Sequence, residues 1–297
     1  MLHTSVVPSR EVYRGQLYEA FKIRESLVHE NLLLEDGLWN LAKRFVEAKP
    51  YPHLVIDGLF NADWLSLIES EFRDIRRHDW NTSENPAERR SGTRPDTRLP
   101  PATQTYFDLI YSGPFVRLLT QITGAPNLLP DPELWGGGMH QVPKGGRFEV
   151  HVDFQKHPRN KLDNRFALIT FLNKDWPESQ GGALELWEPD RSRCAAKVYP
   201  EFGRTILFKQ SLETPHGLPT PITGPDGTIR RSLLAYYYTN GVEEAGRGDS
   251  LTTAFVRRAQ SNFRDEAKWL LKRCVPPILL DTMREVLHHP VPWKQAR

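Results

Sequence analysis

His151, Val152 and Asp153 form the tripeptide that first suggests chemistry in this chain. On a β-strand, residues i and i+2 face the same side, so the imidazole and the carboxylate can aim into one cavity. Together they supply two thirds of a 2-His-1-carboxylate set, which leaves three metal positions open for other ligands. A third ligand is offered by His216, which stands 65 residues after His151, just beyond the short apolar run Arg204–Phe208. Fourteen residues further on, Arg230 opens the segment Arg230-Arg231-Ser232-Leu233-Leu234-Ala235-Tyr236. Strand alternation puts Arg230 and Ser232 on one face. A guanidinium beside a hydroxyl suits a carboxylate, because the fork binds both oxygens. Arg231 would then face outward, and parity favours Arg230 over it as the anion ligand.

The elements that carry these residues can be read from their texture. From Leu134 to Thr239, short apolar runs alternate with Gly, Pro, Asn and Asp. The runs Met139–Val142, Phe148–Val152, Phe166–Leu172, Ala183–Trp187, Thr205–Phe208 and Ser232–Tyr238 read as strands of a sandwich, barrel or jelly roll. Ahead of them, Leu17–Ala48 reads as helical and Pro52–Asp57 as a short strand. Trp64–Phe72 reads as a helix capped by Asn61 or Asp63, and Tyr106–Ile122 as another. Residues 78–101 are rich in Asn, Ser, Glu, Arg and Pro and read as a long polar loop and candidate lid. Its arginines Arg89, Arg90, Arg94 and Arg98 read as solvated charge rather than a clamp for an anion. After Gly248, Phe255–Cys274 and Ile278–Leu287 read as helices split by Pro276-Pro277.

The order H-x-D, then H, then R-x-S, with Gly181-Gly182-Ala183-Leu184-Glu185-Leu186-Trp187 between, resembles the 2-oxoglutarate- and iron(II)-dependent oxygenases in their prolyl-4-hydroxylase-like branch. Pro143–Phe148 leading into H-x-D and Phe171-Leu172-Asn173-Lys174-Asp175-Trp176 also match that branch. The likeness runs from about Trp135 to Gly241 and, more weakly, through Tyr51–Phe72. It implies an α+β protein with a double-stranded β-helix (jelly-roll) core and flanking N- and C-terminal helices. The expected layout is a helical support region over 1–133, the oxygenase core over 134–241 and a helical extension over 242–297. The resemblance further implies Fe(II) held by His151, Asp153 and His216. It also implies 2-oxoglutarate bound at its distal carboxylate by Arg230 with Ser232 assisting, a pocket lined by Leu184, and a polar contact from Gln141. O₂ would be consumed and a C–H bond oxidised as 2-oxoglutarate becomes succinate and CO₂, with ascorbate as an accessory reductant. The tyrosine that many members aim at the distal carboxylate is Phe171 here. Gly224-Pro225-Asp226-Gly227 reads as a turn absorbing a longer His216-to-Arg230 spacing.

Composition bounds the remaining possibilities. The 297 residues carry 39 Lys and Arg against 37 Asp and Glu, a net charge of +2, too balanced to point to nucleic acid. Beyond Leu251 there are nine Lys and Arg against four Asp and Glu, read as a solvated helix face. Two cysteines far apart, Cys194 and Cys274, suggest free thiols in a reducing compartment. With no run long enough for a membrane span and no apolar stretch in Met1–Arg10, the expected location is the cytoplasm. The expected partner is a small molecule, a sugar, aminoglycoside or amino-acid-like metabolite of a biosynthetic pathway, with no nucleic acid or membrane. Prolyl hydroxylation of a peptide or of free proline is the alternative within the class. Outside it stand a catalytically silent cupin-like binding protein and a zinc hydrolase, the latter without a general base at motif spacing. His140 reads as a packed or water-facing histidine rather than a fourth ligand, and His157, His288 and His289 read as surface residues.

Overall fold

The structure, a computed structural model, describes residues 35–241 and 250–255. Thirteen antiparallel strands form two sheets that face each other. The larger contains β1 (His53–Ile56), β10 (Thr205–Lys209), β7 (Asp163–Phe171), β12 (Ile229–Thr239), β5 (Gly138–Pro143), β3 (Arg89–Thr93) and β2 (Trp80–Glu84) in that order, with β4 (Leu129–Pro130) also on β12. The smaller runs β13 (Ala254–Phe255), β6 (Phe148–Val152), β11 (His216–Leu218), β8 (Leu184–Trp187) and β9 (Cys194–Val198). This is the double-stranded β-helix that was expected, closed by pairings between strands distant in sequence.

Alternation along the central strand β12 divides the interior. Leu233, Ala235 and Tyr237 point into a core shared with the helices, while Tyr236 and Tyr238 point between the sheets against Phe171, Leu184, Leu186 and Phe208. The helices α1 (Glu35–Glu47), α2 (Ala62–Ser70), α3 (Pro101–Ile110) and α4 (Gly113–Thr123) supply the outer layer. Asn61 caps α2, its side chain accepting from the Trp64 amide at 2.9 Å. Glu71, buried just past α2, accepts hydrogen bonds from the Ala102 and Thr103 amides at the start of α3, where the helix dipole favours a carboxylate. Burying these apolar faces supplies most of the stabilisation, at roughly 25 cal/mol per Å².

Several expectations are corrected by these elements. The single helix read across Tyr106–Ile122 is two, because Ser112-Gly113-Pro114 begins a new helix with proline in its first turn. The polar segment 78–101 is a β-hairpin, β2–β3, whose second strand pairs β5. Its polar composition misled because both faces of an edge hairpin are largely open to water, so few apolar side chains are needed. It and β1 bring strands from the region read as helical support into the major sheet. The strands Cys194–Val198 and His216–Leu218 escaped a reading based on apolar runs, the first for lack of large side chains and the second for its three-residue length. Gly224–Gly227 is a turn between strands of different sheets. Phe255 lies in β13; the remainder of the helix read from it, the helix over 278–287, Leu17–Leu34, Cys274, His288 and His289 lie outside the described residues.

Candidate active site

β6 and β11 are neighbours, and His151 stands directly opposite His216 in their register. The close approach depends on Gly217: a Cβ there would meet the Phe148 carbonyl oxygen and the Val150 Cα, both at 2.9 Å. The His151 Nε2 lies 3.3 Å from Asp153 Oδ1, and the His216 Nε2 lies 3.4 Å from Asp153 Oδ2. All three groups are buried, with their donor atoms within 4.8 Å of one another.

Each imidazole is aimed by its backbone. The Nδ1 of His151 is 2.8 Å from the Glu149 carbonyl and that of His216 is 2.9 Å from the Thr214 carbonyl. A carbonyl only accepts, so each Nδ1 carries a hydrogen, which leaves each Nε2 as the nitrogen that could bind a metal at the centre. Tyr236 donates to Asp153 Oδ2 at 3.0 Å. Burial alone would raise the Asp153 pKa, yet His216 and His151 beside it hold the carboxylate well below its usual range. Burial, with help from His216, depresses the His151 pKa. The result is two imidazole nitrogens and one carboxylate oxygen converging in a buried pocket, a donor set suited to a divalent transition metal.

The same cavity is lined by Arg230, Ser232, Leu234 and Tyr236, successive inward positions of β12. Arg230 is 6% exposed. Its Nε donates to the Gly182 carbonyl at 2.8 Å, and its guanidinium carbon lies 4.8 Å from the centre of the Phe171 ring. It has no acidic partner among the described residues, and burial pushes its pKa down to about 9. A buried, unpaired guanidinium is costly and implies an anionic ligand. Gly182, at φ +77°, turns its carbonyl toward Arg230 and leaves no room for a side chain beside Trp176. Arg231 points the other way, paired with Glu69 on α2 and lying over Phe72. Leu184 lines the same cavity.

Gln141 does not line it. The register Ser232↔His140 and Arg231↔Gln141 puts His140 on the cavity side and Gln141 with Arg231 on the helix side. Nothing in the local sequence sets that parity; only pairing with β12 does. His140 is packed, with Nε2 3.2 Å from the Gly137 carbonyl and Nδ1 3.5 Å from an Arg90 nitrogen. His157, read as a surface residue, is instead fully buried, with its Nε2 3.4 Å from Asp131 Oδ2, a partner that only the tertiary structure brings to it. The Tyr236 bond to Asp153 was not read from the sequence, though its inward face follows from extending the alternation of Arg230 and Ser232 by four residues. One contributor was missed altogether. Arg90, read as solvated, enters the cavity from β3, and no sequence signal marks it.

Residues 137–239 match the family model described as the 2OG-Fe(II) oxygenase superfamily. Among curated proteins, the chain is similar to prolyl 3-hydroxylase 1 of Gallus gallus, 26% identical over 132 residues, covering 40% of this chain and 17% of that one. It is also similar to prolyl 3-hydroxylase 3 of Homo sapiens, 34% identical over 74 residues, covering 25% of this chain and 9% of that one. The chain thus spans less than a fifth of the length of these relatives. Among solved structures, a Pseudomonas putida prolyl-4-hydroxylase aligns over 69% of this chain and 100% of its own, with 18% identity and a TM-score of 0.49. No described helix is long and apolar enough to cross a membrane. Over residues 137–239 the chain is similar to the 2OG-Fe(II) oxygenase superfamily, and the curated proteins it resembles are named as prolyl hydroxylases.

Proposed function

We propose that the protein is an iron(II)- and 2-oxoglutarate-dependent oxygenase that oxidises an unactivated C–H bond of a small molecule. The observation that carries this reading is a buried His-Asp-His set sharing one cavity with a buried arginine that lacks an acidic partner among the described residues. His151, Asp153 and His216 would hold the metal and leave three positions open. Arg230, with the Ser232 hydroxyl, would hold the distal carboxylate of 2-oxoglutarate. When bound, iron and 2-oxoglutarate supply the coupled oxidation in which O₂ is consumed and succinate and CO₂ are released.

The chain's own residues have definite tasks in this scheme. The Glu149 and Thr214 carbonyls fix the histidine tautomers, and Tyr236 fixes the carboxylate orientation. Val142, Leu184, Phe208 and Leu218 exclude water around the cosubstrate. The arginine separates this reading from a zinc hydrolase, which would have no use for it, and from an emptied binding fold, which would not retain the donor set. A second reading, hydroxylation of proline in a peptide or as the free amino acid, is supported by the names of the curated relatives.

The test is anaerobic addition of Fe(II) and 2-oxoglutarate. A weak visible absorption band from the chelate is expected in the wild type and is absent in His216→Ala. If no band forms while zinc supports ester or amide cleavage, the hydrolase reading replaces this one.

A further inference from the structure

The mouth of the cavity holds a second arginine that the oxygenase scheme does not use. Arg90 rises from β3, and its guanidinium carbon sits 4.1 Å from the centre of the Phe148 ring. That ring is itself 3.9 Å from the ring of His151. The guanidinium therefore lies no more than about 8 Å from an imidazole of the candidate metal centre. Three contacts hold it: Nε on Glu88 Oε2 at 2.9 Å, one face on Phe148, and Nη1 3.5 Å from His140 Nδ1. The Nη2 group has no partner among the described residues. His140 accepts rather than competes, because burial first and the Arg90 charge second push its pKa down to about 3, keeping it neutral.

The rest of the cavity has a matching bias. Beside Arg90, the cavity lining includes Phe148, Phe154, Leu234, Tyr236 and Gly136. Asp153 is the one carboxylate among the described lining residues, and it is engaged by His151, His216 and Tyr236. With Arg230 taken by the cosubstrate, an ammonium group entering here would meet the Arg90 guanidinium and no unengaged carboxylate among the described lining residues, an arrangement that disfavours a cation. A guanidinium held on an aromatic face, lining the cavity with an Nη2 group that has no partner among the described residues, suits a carboxylate.

We propose that the substrate is a small, mainly apolar acid whose carboxylate binds Arg90 while its carbon skeleton packs on Phe148, Phe154 and Leu234. This rests on the oxygenase reading and narrows it: among the metabolites expected from the sequence, an acid fits, whereas a polycationic aminoglycoside does not.

Three probes of one shape and different charge test this: cyclopentanecarboxylate, cyclopentanecarboxamide and cyclopentylamine. Their retention by the full chain with Fe(II) and saturating 2-oxoglutarate, under argon, is measured by equilibrium dialysis. The acid is expected to bind at least about tenfold tighter than the amide, as one charge-assisted contact implies, and the amine weakest. In Arg90→Gln the acid falls to the level of the amide, and Arg90→Lys restores part of the difference. An amine bound as tightly as the acid, an advantage of the acid that survives Arg90→Gln, or no retention of the acid at about 10 mM overturns the proposal. So does loss of 2-oxoglutarate retention in Arg90→Gln, which would assign Arg90 to the cosubstrate. Should the wild type itself fail to retain 2-oxoglutarate, the oxygenase reading falls, and the order of the three probes still decides the present one.

Discussion

The Tyr236 hydroxyl donates a 3.0 Å hydrogen bond to Asp153 Oδ2, across the gap between the two sheets. Tyr236 shares the inward face of β12 with Arg230 and Ser232, so one strand both meets the candidate cosubstrate and orients a candidate metal ligand. Removing the hydroxyl leaves Asp153 free to rotate between its histidine partners. Tyr236→Phe is expected to weaken Fe(II) binding by roughly 10- to 100-fold with the fold intact, checked by anaerobic metal titration. Unchanged affinity would show that the two histidines alone hold the carboxylate in place.

Arg230 and Arg231 separate into ligand and support. Removing a buried, unpaired charge relieves a desolvation cost. Arg230→Met is therefore expected to match or exceed the wild-type melting temperature without 2-oxoglutarate. Its affinity for 2-oxoglutarate should drop at least about a hundredfold, the loss of about 3 kcal/mol of charge-assisted hydrogen bonding. Arg231→Ala loses the pairing with Glu69 and should cost about 1 kcal/mol of stability with affinity unchanged. Calorimetry with and without the dicarboxylate distinguishes the two, and reversed results would exchange their roles.

Gly217 sets the spacing of the two histidines. The first added carbon would press on the backbone of β6 rather than on a flexible side chain. Gly217→Ala should therefore push His216 away from His151 and weaken metal binding by on the order of tenfold or more. Metal titration of the folded variant checks this; wild-type affinity would mean that β11 can shift without loss.

His140 makes the fold acid-sensitive. Its folded pKa is about 3, lowered by burial and by Arg90, while the unfolded chain keeps the ordinary 6.5. Between these values the unfolded state binds the extra proton, so stability is lost as pH falls below about 6.5. By pH 4.5 this amounts to at most about 2.7 kcal/mol, since the ring is only partly shielded from water. Denaturant unfolding at pH 7 and 4.5 should show a smaller loss in His140→Gln than in the wild type. Equal losses would place the acid sensitivity elsewhere.

Asp131 organises the turn that leads into β5. Its carboxylate accepts from the Glu133 and Trp135 amides at 3.1 and 2.7 Å and faces His157. Asp131→Ala leaves those amides and the fully buried His157 without their anion. The expected cost is about 2 to 4 kcal/mol of stability, with metal affinity of the folded fraction retained. A variant of normal stability but poor metal binding would instead tie Asp131 to the metal centre.

What could be read from the chain alone was whatever a short-range rule determines. Alternation on a strand pairs His151 with Asp153 and Arg230 with Ser232, because successive side chains must leave a pleated backbone on opposite sides. The apolar runs likewise marked six of the sheet strands. Where those strands meet was beyond such rules. That His216 stands opposite His151, that His140 rather than Gln141 turns inward, and that Arg90 leaves a polar hairpin for the cavity all follow from pairings across long separations. Register between distant strands is set by whole-sheet packing and backbone hydrogen bonding, which no window of neighbouring residues contains. The sequence by itself marked three candidate metal ligands and the class of core that could hold them. Only the tertiary structure decided which faces look inward, because that depends on pairings between strands far apart in the chain.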